Sequence, residues 1–154
     1  ALDADTMQAA YAPNAEFEDE AFSLRGRDEI GAMWRMLCTA VRDKGRADWK
    51  LDFSGIDCDD ELGIAHWEPS YRFSATGRMV HNIIDATFEF DRDGLILKHR
   101  DRFDFWRWSR QALGLPGLLL GWSPMLRNKV RTQAAANLAK FRAGQAEART
   151  SRAR

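Results

Sequence analysis

A histidine and a carboxylate lie two residues apart in the segment H-R-D-R-F-D, residues 99–104. Successive side chains of a β-strand point to opposite faces, so His99 and Asp101 share one face and the intervening arginine lies on the other. If the first face looks into an apolar interior, burying the carboxylate costs free energy unless it has a partner or a chemical purpose. His99 is suited to proton transfer near neutral pH, either as the base itself or hydrogen-bonded to Asp101. The spacing therefore indicates a candidate acid–base site.

The surrounding sequence predicts the elements that must position this pair. Residues 28–41 carry apolar side chains three and four apart, which is typical of an amphipathic helix. From residue 48 the apolar period falls to two, and this predicts strands at about 48–53, 62–74, 78–90 and 95–106. Helices and a short strand followed by long antiparallel strands favour an α+β fold, with the helices packed on one side of a curved sheet.

Four other side chains are candidates for substrate binding. Asn82 lies on the predicted inner face of the third long strand, where its amide either polarises a carbonyl or enolate oxygen or bonds to a neighbouring strand. The remaining three predict an aromatic wall, which serves either as core packing or as direct ligand contact. These three are Trp34, Trp67 and Tyr71. The other histidines, His66 and His81, have the opposite strand parity, and we expect them outside the pocket.

The composition excludes several kinds of protein. The 154 residues include six Trp and nine Phe, which predicts one domain with an aromatic interior or cavity. The two cysteines form no C-x-x-C motif, as in a reduced, cytoplasmic protein. Scattered histidines and cysteines, with no phosphate-binding glycine loop, lead us to expect neither a metal nor a cofactor. No apolar run approaches the length of a membrane span.

Charge is distributed unevenly along the chain. Residues 127–154 hold eight Lys/Arg against one acid, leaving 15 basic and 22 acidic residues elsewhere. Such a tail is more often a solvated end than a ligand-binding element, and we expect neither nucleic acid nor membrane as a partner. The sequence predicts one domain over 1–142, including a helical extension at 109–142, and a basic, disordered tail at 143–154. An apolar loop at 115–122 must cover either the pocket or a neighbouring subunit.

Several motifs together resemble one family. They are Y-A-P-N-A-E-F-E-D (11–19), L-R-G-R-D-E-I-G-A-M-W (24–34), T-G-R (76–78) and H-R-D-R-F-D (99–104). The pattern is similar to the SnoaL-like branch of the nuclear transport factor two-like superfamily, over roughly residues 6–108. The resemblance implies a cone-shaped, curved antiparallel sheet wrapped against helices, a deep apolar pocket and often a homodimer. Ketosteroid isomerase, limonene epoxide hydrolase and polyketide cyclases belong to this superfamily, as do binding modules without catalysis.

Two residues match catalytic positions of these relatives. Asp19 falls where ketosteroid isomerase keeps its proton-shuttling aspartate, and Asp101 falls where limonene epoxide hydrolase has a catalytic acid in a similar R-D-Y-F-D. The isomerase's oxyanion-hole aspartate corresponds to Ala86, and the hydrolase's Arg-x-Asp pair is replaced by H-W-E-P at 66–69. Neither mechanism transfers intact.

Two functions remain open at this point, and a third idea is that the basic tail and the apolar loop at 115–122 dock on a membrane or a partner. The first is a cofactor-independent isomerase, cyclase or hydrolase that acts on a small hydrophobic carbonyl or epoxide compound. Asp19 and Asp101 would exchange protons, His99 would assist, and Asn82 would polarise an oxygen. The alternative is a non-catalytic ligand-binding or dimerisation module of the same fold. In that case Asp19 caps a turn and Asp101 pairs with an arginine.

Overall fold

A computed structural model describes residues 2–44 and 46–152. The helices are α1 (Ala4–Ala9), α2 (Arg27–Lys44), α3 (Phe105–Leu113), α4 (Leu115–Leu120) and α5 (Pro124–Arg152), with a 3-10 turn at Arg46–Asp48. The strands are β1 (Tyr11–Glu18), β2 (Ser23–Arg25), β3 (Lys50–Cys58), β4 (Leu62–Arg72), β5 (Met79–His81), β6 (Ile84–Phe90) and β7 (Ile96–Arg102).

The strands form one sheet in the order β2-β1-β7-β6-β4-β3, and β5 pairs with the end of β4. Helices cover the concave side of this curved sheet, so the predicted α+β class is confirmed. One pairing differs from the antiparallel sheet that we expected, because β1 and β7 run parallel. No hairpin joins these two strands, since half of the chain separates them, and their direction is therefore not fixed by a tight turn. The parallel pair places the start of the chain beside H-R-D.

Helix α2 supplies the main apolar cover of the sheet. Its residues Ile30 and Met33 are almost fully buried and pack with Tyr11 and Phe17 of β1. This is the helix that the spacing of three and four predicted. Leu138 of α5 joins the same core, so the C-terminal helix closes the cover that α2 begins. The concave face of β1 and β7 is consequently apolar and enclosed.

The C-terminal region is more helical than expected. Helix α5 continues through residues 143–152, where we expected a disordered tail, and this expectation is corrected for those residues. The segment is rich in Ala, Gln, Glu and Arg, all of which favour helix. Residues 153 and 154 lie outside the described residues.

The segment 115–122 is likewise not all loop, because α4 occupies Leu115–Leu120 with a proline in its first turn. Among the helices described here, none has the length and apolar character needed to cross a membrane.

Candidate active site

The concave face of the sheet brings the predicted histidine and carboxylate together. His99 and Asp101 point to the same side of β7, and only 3% of His99 and 7% of Asp101 is exposed. In register, His99 lies between Phe17 on β1 and Phe88 on β6. Aromatic rings enclose the imidazole, with ring centroids 4.4–6.5 Å away. They belong to Tyr11, Phe17, Trp34, Trp67 and Phe88.

A continuous chain of hydrogen bonds fixes the imidazole. The indole Nε1 of Trp34 donates to the Tyr11 hydroxyl oxygen over 3.2 Å. Tyr11 Oη lies 2.6 Å from His99 Nδ1, and His99 Nε2 lies 2.9 Å from Asp101 Oδ1. Because the indole is only a donor, Tyr11 is free to donate its own proton to Nδ1. The hydrogen of His99 then resides on Nε2 and is donated to the Asp101 carboxylate.

Burial keeps the tyrosine in its donor form. The apolar surroundings raise the pKa of Tyr11 well above its usual range, and the negative charge of Asp101 adds to that shift. The hydroxyl therefore remains protonated across the ordinary pH range. This makes Tyr11 a fixed donor that holds the tautomer of His99.

Asp19 lies just beyond β1 and is partly buried. Its Oδ1 accepts hydrogen bonds from the backbone N–H groups of Ala21 and Phe22, at 2.6 and 2.5 Å. These bonds favour the ionised carboxyl, yet burial outweighs them and raises the pKa of Asp19 to about 7. The negative charge of Asp101 is a further cause of the shift. Asp19 thus titrates near neutral pH within the electrostatic reach of Asp101.

Tyr71 contributes a second buried hydroxyl. Trp108 Nε1 donates to the Tyr71 hydroxyl oxygen over 3.0 Å, which leaves the hydroxyl hydrogen for another acceptor. Burial raises the pKa of Tyr71 to about 12, and the charge of Asp19 adds to this effect. Tyr71 therefore remains a hydrogen-bond donor in the neighbourhood of Asp19.

The two alternatives for the carboxylates have different outcomes. Asp19 does cap a turn, as the non-catalytic interpretation expected. Asp101 instead pairs with His99, and within residues 2–44 and 46–152 the arginine ion pairs involve other carboxylates. Arg131 of α5 binds the backbone oxygens of Asp19 and Glu20 rather than the Asp19 carboxylate. Within the described part of the chain, neither the buried Asp101 carboxylate nor the partly buried Asp19 carboxylate thus has an arginine to neutralise it.

The other predicted residues lie elsewhere on the sheet. His66 bonds to Asp85 and His81 to Glu68, both over 2.8 Å, on the outer side as expected. His66 also bonds to Glu68 over 3.2 Å, and the bonds to Asp85 and then to Glu68 raise the pKa of His66. Among the residues that the structure covers, no group of three or more His, Cys, Asp or Glu is arranged to hold a metal ion.

Asn82 is not part of the hydrogen-bonded chain around His99. The predicted strand 78–90 is interrupted at residues 82 and 83, and the Asn82 backbone N–H donates to the Pro69 oxygen over 3.0 Å. Asn82 is buried but lines a surface cleft of about 370 Å³ at this end of the sheet. The cleft is also lined by Ile83, Asp85, Arg102, Phe103, Asp104 and Arg107.

Tyr11 is the site residue that sequence reasoning missed. It begins the Y-A-P-N motif, but Pro13 and the register shift between Tyr11 and Glu16 interrupt the alternation of β1. Its link to His99 depends on strands 88 positions apart, and no local pattern reveals such a pairing. The only local sign of its role was a tyrosine in an apolar segment near the first strand.

Loss of the Tyr11 hydroxyl should destabilise the protein. Tyr11→Phe leaves both the Trp34 indole N–H and His99 Nδ1 without their partner, and we expect a loss of about 2 kcal/mol in the free energy of unfolding. Urea denaturation measures this loss. Tyr71→Phe is the control, because it deprives only the Trp108 indole of a partner. An equal or smaller loss for Tyr11→Phe than for Tyr71→Phe would contradict the proposed chain.

Comparison with known proteins shows the family of the chain. The chain belongs to the SnoaL-like domain family, whose model matches residues 1–99, and the resemblance read from the motifs is thereby confirmed. A search of curated proteins finds no match.

Solved structures show the same fold. The chain is similar to the epoxide hydrolase/cyclase-like enzyme SalBIII of pyran ring formation in the polyether salinomycin. The TM-score is 0.54, with 14% identity over 66% of this chain and 78% of that one. An LEH-like epoxide hydrolase of M. tuberculosis gives a TM-score of 0.54, with 22% identity over 76% and 83%. An NTF2-like protein of unknown function from Exiguobacterium sp. 255-15 gives a TM-score of 0.52. Its sequence is 19% identical over 65% of this chain and 81% of that one. At these identities the likeness shows the NTF2-like fold alone.

Proposed function

We propose that this protein is a cofactor-independent enzyme that applies general acid–base chemistry to a small hydrophobic carbonyl or epoxide compound. The observation that carries the proposal is the pair of acids formed by the partly buried Asp19 and the buried Asp101, which influence each other electrostatically and have no arginine partner in the described residues. Buried charge of one sign is costly, and proteins keep it mainly where it serves chemistry.

The two acids suit opposite halves of a proton transfer. The Asp101 carboxylate removes a proton, either from carbon next to a carbonyl or from a water molecule that attacks an epoxide. Asp19, with a pKa of about 7, is largely protonated just below neutral pH and donates its proton to the substrate oxygen. One proton is taken and one is given, so the charge of the site is unchanged by the step.

His99 acts as a positioning residue in this scheme. Its Nε2–H holds one oxygen of Asp101 and leaves the second oxygen to receive the substrate proton. Tyr11 and Trp34 in turn hold the ring, so the carboxylate is orientated before substrate arrives. Preorganisation of this kind reduces the reorganisation that the reaction requires.

The substrate would lie against the aromatic wall. Trp34, Trp67 and Tyr71 supply apolar surface, and the Tyr71 hydroxyl can donate to the same oxygen that Asp19 protonates. Asn82 has a place only at the surface cleft, and we propose that it contacts substrate there rather than at the reacting atoms. The names of SalBIII and the M. tuberculosis relative support the epoxide class among the candidates.

The alternative is a binding module of the same fold. It is favoured by the close packing of aromatic rings around His99, with the Phe88 ring centroid only 4.4 Å away. The family resemblance also leads us to propose a cytoplasmic homodimer, a state in which either function can operate.

A panel of hydrophobic epoxides and ketones tests the two functions. Epoxide opening is followed by mass spectrometry, and proton abstraction from ketones by NMR-detected exchange of the hydrogens next to the carbonyl with deuterium. We expect opening or exchange that declines above pH about 7, as Asp19 loses its proton. Ligands that shift the protein's NMR signals without being converted or exchanged would favour the binding module.

A further inference from the structure

One corner of the molecule exposes an unusual amount of apolar surface. It is formed by α3, α4 and the start of α5, and we call it the helical corner. Its large side chains are between 39% and 72% exposed. They are Trp106, Leu115, Leu118, Leu119, Leu120, Trp122 and Met125. A patch of this kind on a protein surface usually marks an interaction site.

The helices of the corner are closely packed, so the exposure of its apolar side chains is built into the fold. Gly117 and Gly121 bring α4 against Ser109 of α3, and a Cβ added at either glycine would overlap Ser109. Ser109 is fully buried and bonds to the Gly117 carbonyl over 3.2 Å. The two helices are therefore held too close for the leucines of α4 to turn inward.

The two exposed indoles already have hydrogen-bond partners. Trp106 Nε1 donates to the Leu118 oxygen over 3.2 Å, and Trp122 Nε1 donates to the Leu119 oxygen over 3.0 Å. Burying these rings in an apolar medium would leave neither indole donor without a partner. The patch is thus suited to complete desolvation.

The segment that forms this region carries charge of a single sign, although two of its arginines pair with acids from residues 1–104, Arg127 with Glu20 and Arg142 with Glu29. Residues 105–146 contain seven Lys/Arg and no Asp/Glu, whereas residues 1–104 contain 22 Asp/Glu. On α5, Lys129 is four residues after Met125 and Lys140 is eleven after Lys129, so all three share one side of the helix. The guanidinium of Arg110 lies 4.9 Å from the centroid of the Trp106 ring. Cations therefore flank the apolar patch.

We propose that the helical corner docks on an anionic lipid surface without spanning it. Leucines and indoles would enter the boundary between headgroups and acyl chains, while the lysines would lie at the level of the phosphates. A second copy of this chain is a less suitable partner for the corner. Its residues 1–104 carry 13 Lys/Arg among their 22 Asp/Glu, so its surface is not uniformly negative. The absence of acids over 105–146 is suited to a partner that is uniformly negative. This proposal replaces our expectation of no membrane partner, which rested on basic tails being more often solvated ends.

Vesicle flotation tests the proposal with the full chain. We expect the protein to float with phosphatidylcholine vesicles that contain phosphatidylglycerol, but not with phosphatidylcholine alone, and to be released by about 0.5 M NaCl. Leu119→Ser/Trp122→Ser and Lys129→Glu/Lys140→Glu should each lower the bound fraction by about tenfold.

Matched control variants change residues outside the helical corner. Phe53→Ser/Ile56→Ser removes side chains of similar exposure from β3. Lys50→Glu/Arg92→Glu reverses two exposed charges of the acidic region. Both controls should float like the unmodified protein, and circular dichroism checks that every variant is folded.

Three results would overturn the proposal. The first is the absence of flotation with anionic vesicles at low salt. The second is equal loss of binding in the control and corner variants. The third combines two observations: the unmodified protein does not bind vesicles, and its mass by light scattering falls from dimer to monomer in Leu119→Ser/Trp122→Ser. The helical corner would then be an interface between two copies of the chain.

Discussion

Asp101→Asn should lower kcat by about a thousandfold while leaving the fold and ligand affinity nearly unchanged. Asparagine has the shape of aspartate, and its Oδ1 can still accept the hydrogen bond from His99 Nε2, which spans 2.9 Å in the unmodified protein. It cannot accept a proton from substrate or water. The step that we assign to Asp101 is therefore lost, whereas the contacts that position substrate remain. Turnover or deuterium exchange on the best substrate of the panel measures the effect.

Asp52→Asn provides the matched control for this substitution. Asp52 is an exposed acid on β3, away from both His99 and the cleft that Asn82 lines. Its loss should leave kcat within about twofold of the unmodified value, since surface changes of this kind have small effects. Retention of full turnover by Asp101→Asn would remove Asp101 from the mechanism.

Asp19→Asn should stabilise the protein at neutral and alkaline pH. The pKa of Asp19 is about 7 in the folded state against 3.8 as its ordinary value, so the folded state holds this proton more tightly. As pH rises from about 4 to about 7, the unfolded chain releases the proton first, and the free energy of unfolding falls. The shift in pKa corresponds to a loss of about 4 kcal/mol in the free energy of unfolding over this range, and no further loss occurs above pH 7. Below about pH 4 both states are protonated and the effect disappears.

Denaturation in urea between about pH 4 and pH 8 measures this dependence. The amide oxygen of the substituted side chain can still accept the hydrogen bonds from Ala21 and Phe22, so the turn is preserved. We expect the gain in stability of Asp19→Asn over the unmodified protein to grow across that window and then level off. A constant difference at every pH would show that Asp19 does not titrate there.

Asp59→Asn is a control for which we expect the opposite effect on stability. Asp59 makes the same kind of turn, accepting from the backbone N–H groups of Glu61 and Leu62, at 2.8 and 2.7 Å. It is exposed, and these two bonds lower its pKa, with the bond from Leu62 the larger cause. Its ionised form therefore stabilises the fold at neutral pH, and that contribution is lost as the pH falls through its folded pKa. The comparison of the two turns isolates burial as the cause of the Asp19 effect.

Together, the substitutions of the two acids test the link between stability and function. If Asp19 is the proton donor, Asp19→Asn should be more stable and less active than the unmodified protein. Active sites commonly retain groups that destabilise the fold because the chemistry needs them. A stabilised variant with full turnover would make Asp19 a structural residue with an unfavourable charge.

Local patterns predicted the inward direction of His99 and Asp101 correctly, because strand parity depends only on neighbouring residues. The same reasoning predicted α2 from its spacing of three and four. It failed at Asn82, where two residues interrupt what the pattern indicated as one strand. It also could not connect Tyr11 to His99, because that contact depends on a parallel pairing that no turn encodes.

The parallel pairing of β1 with β7 determines when the site can form. Tyr11 and Asp19 come from the start of the chain, whereas His99 and Asp101 come from its last strand. During synthesis, every other strand of the sheet leaves the ribosome before β7 can meet β1. Contacts of such long sequence separation slow folding, because a large loop must close before any contact compensates for the lost entropy. Until then His99 has no aromatic enclosure and Asp19 is not held near Asp101, so the proposed acid–base site cannot form.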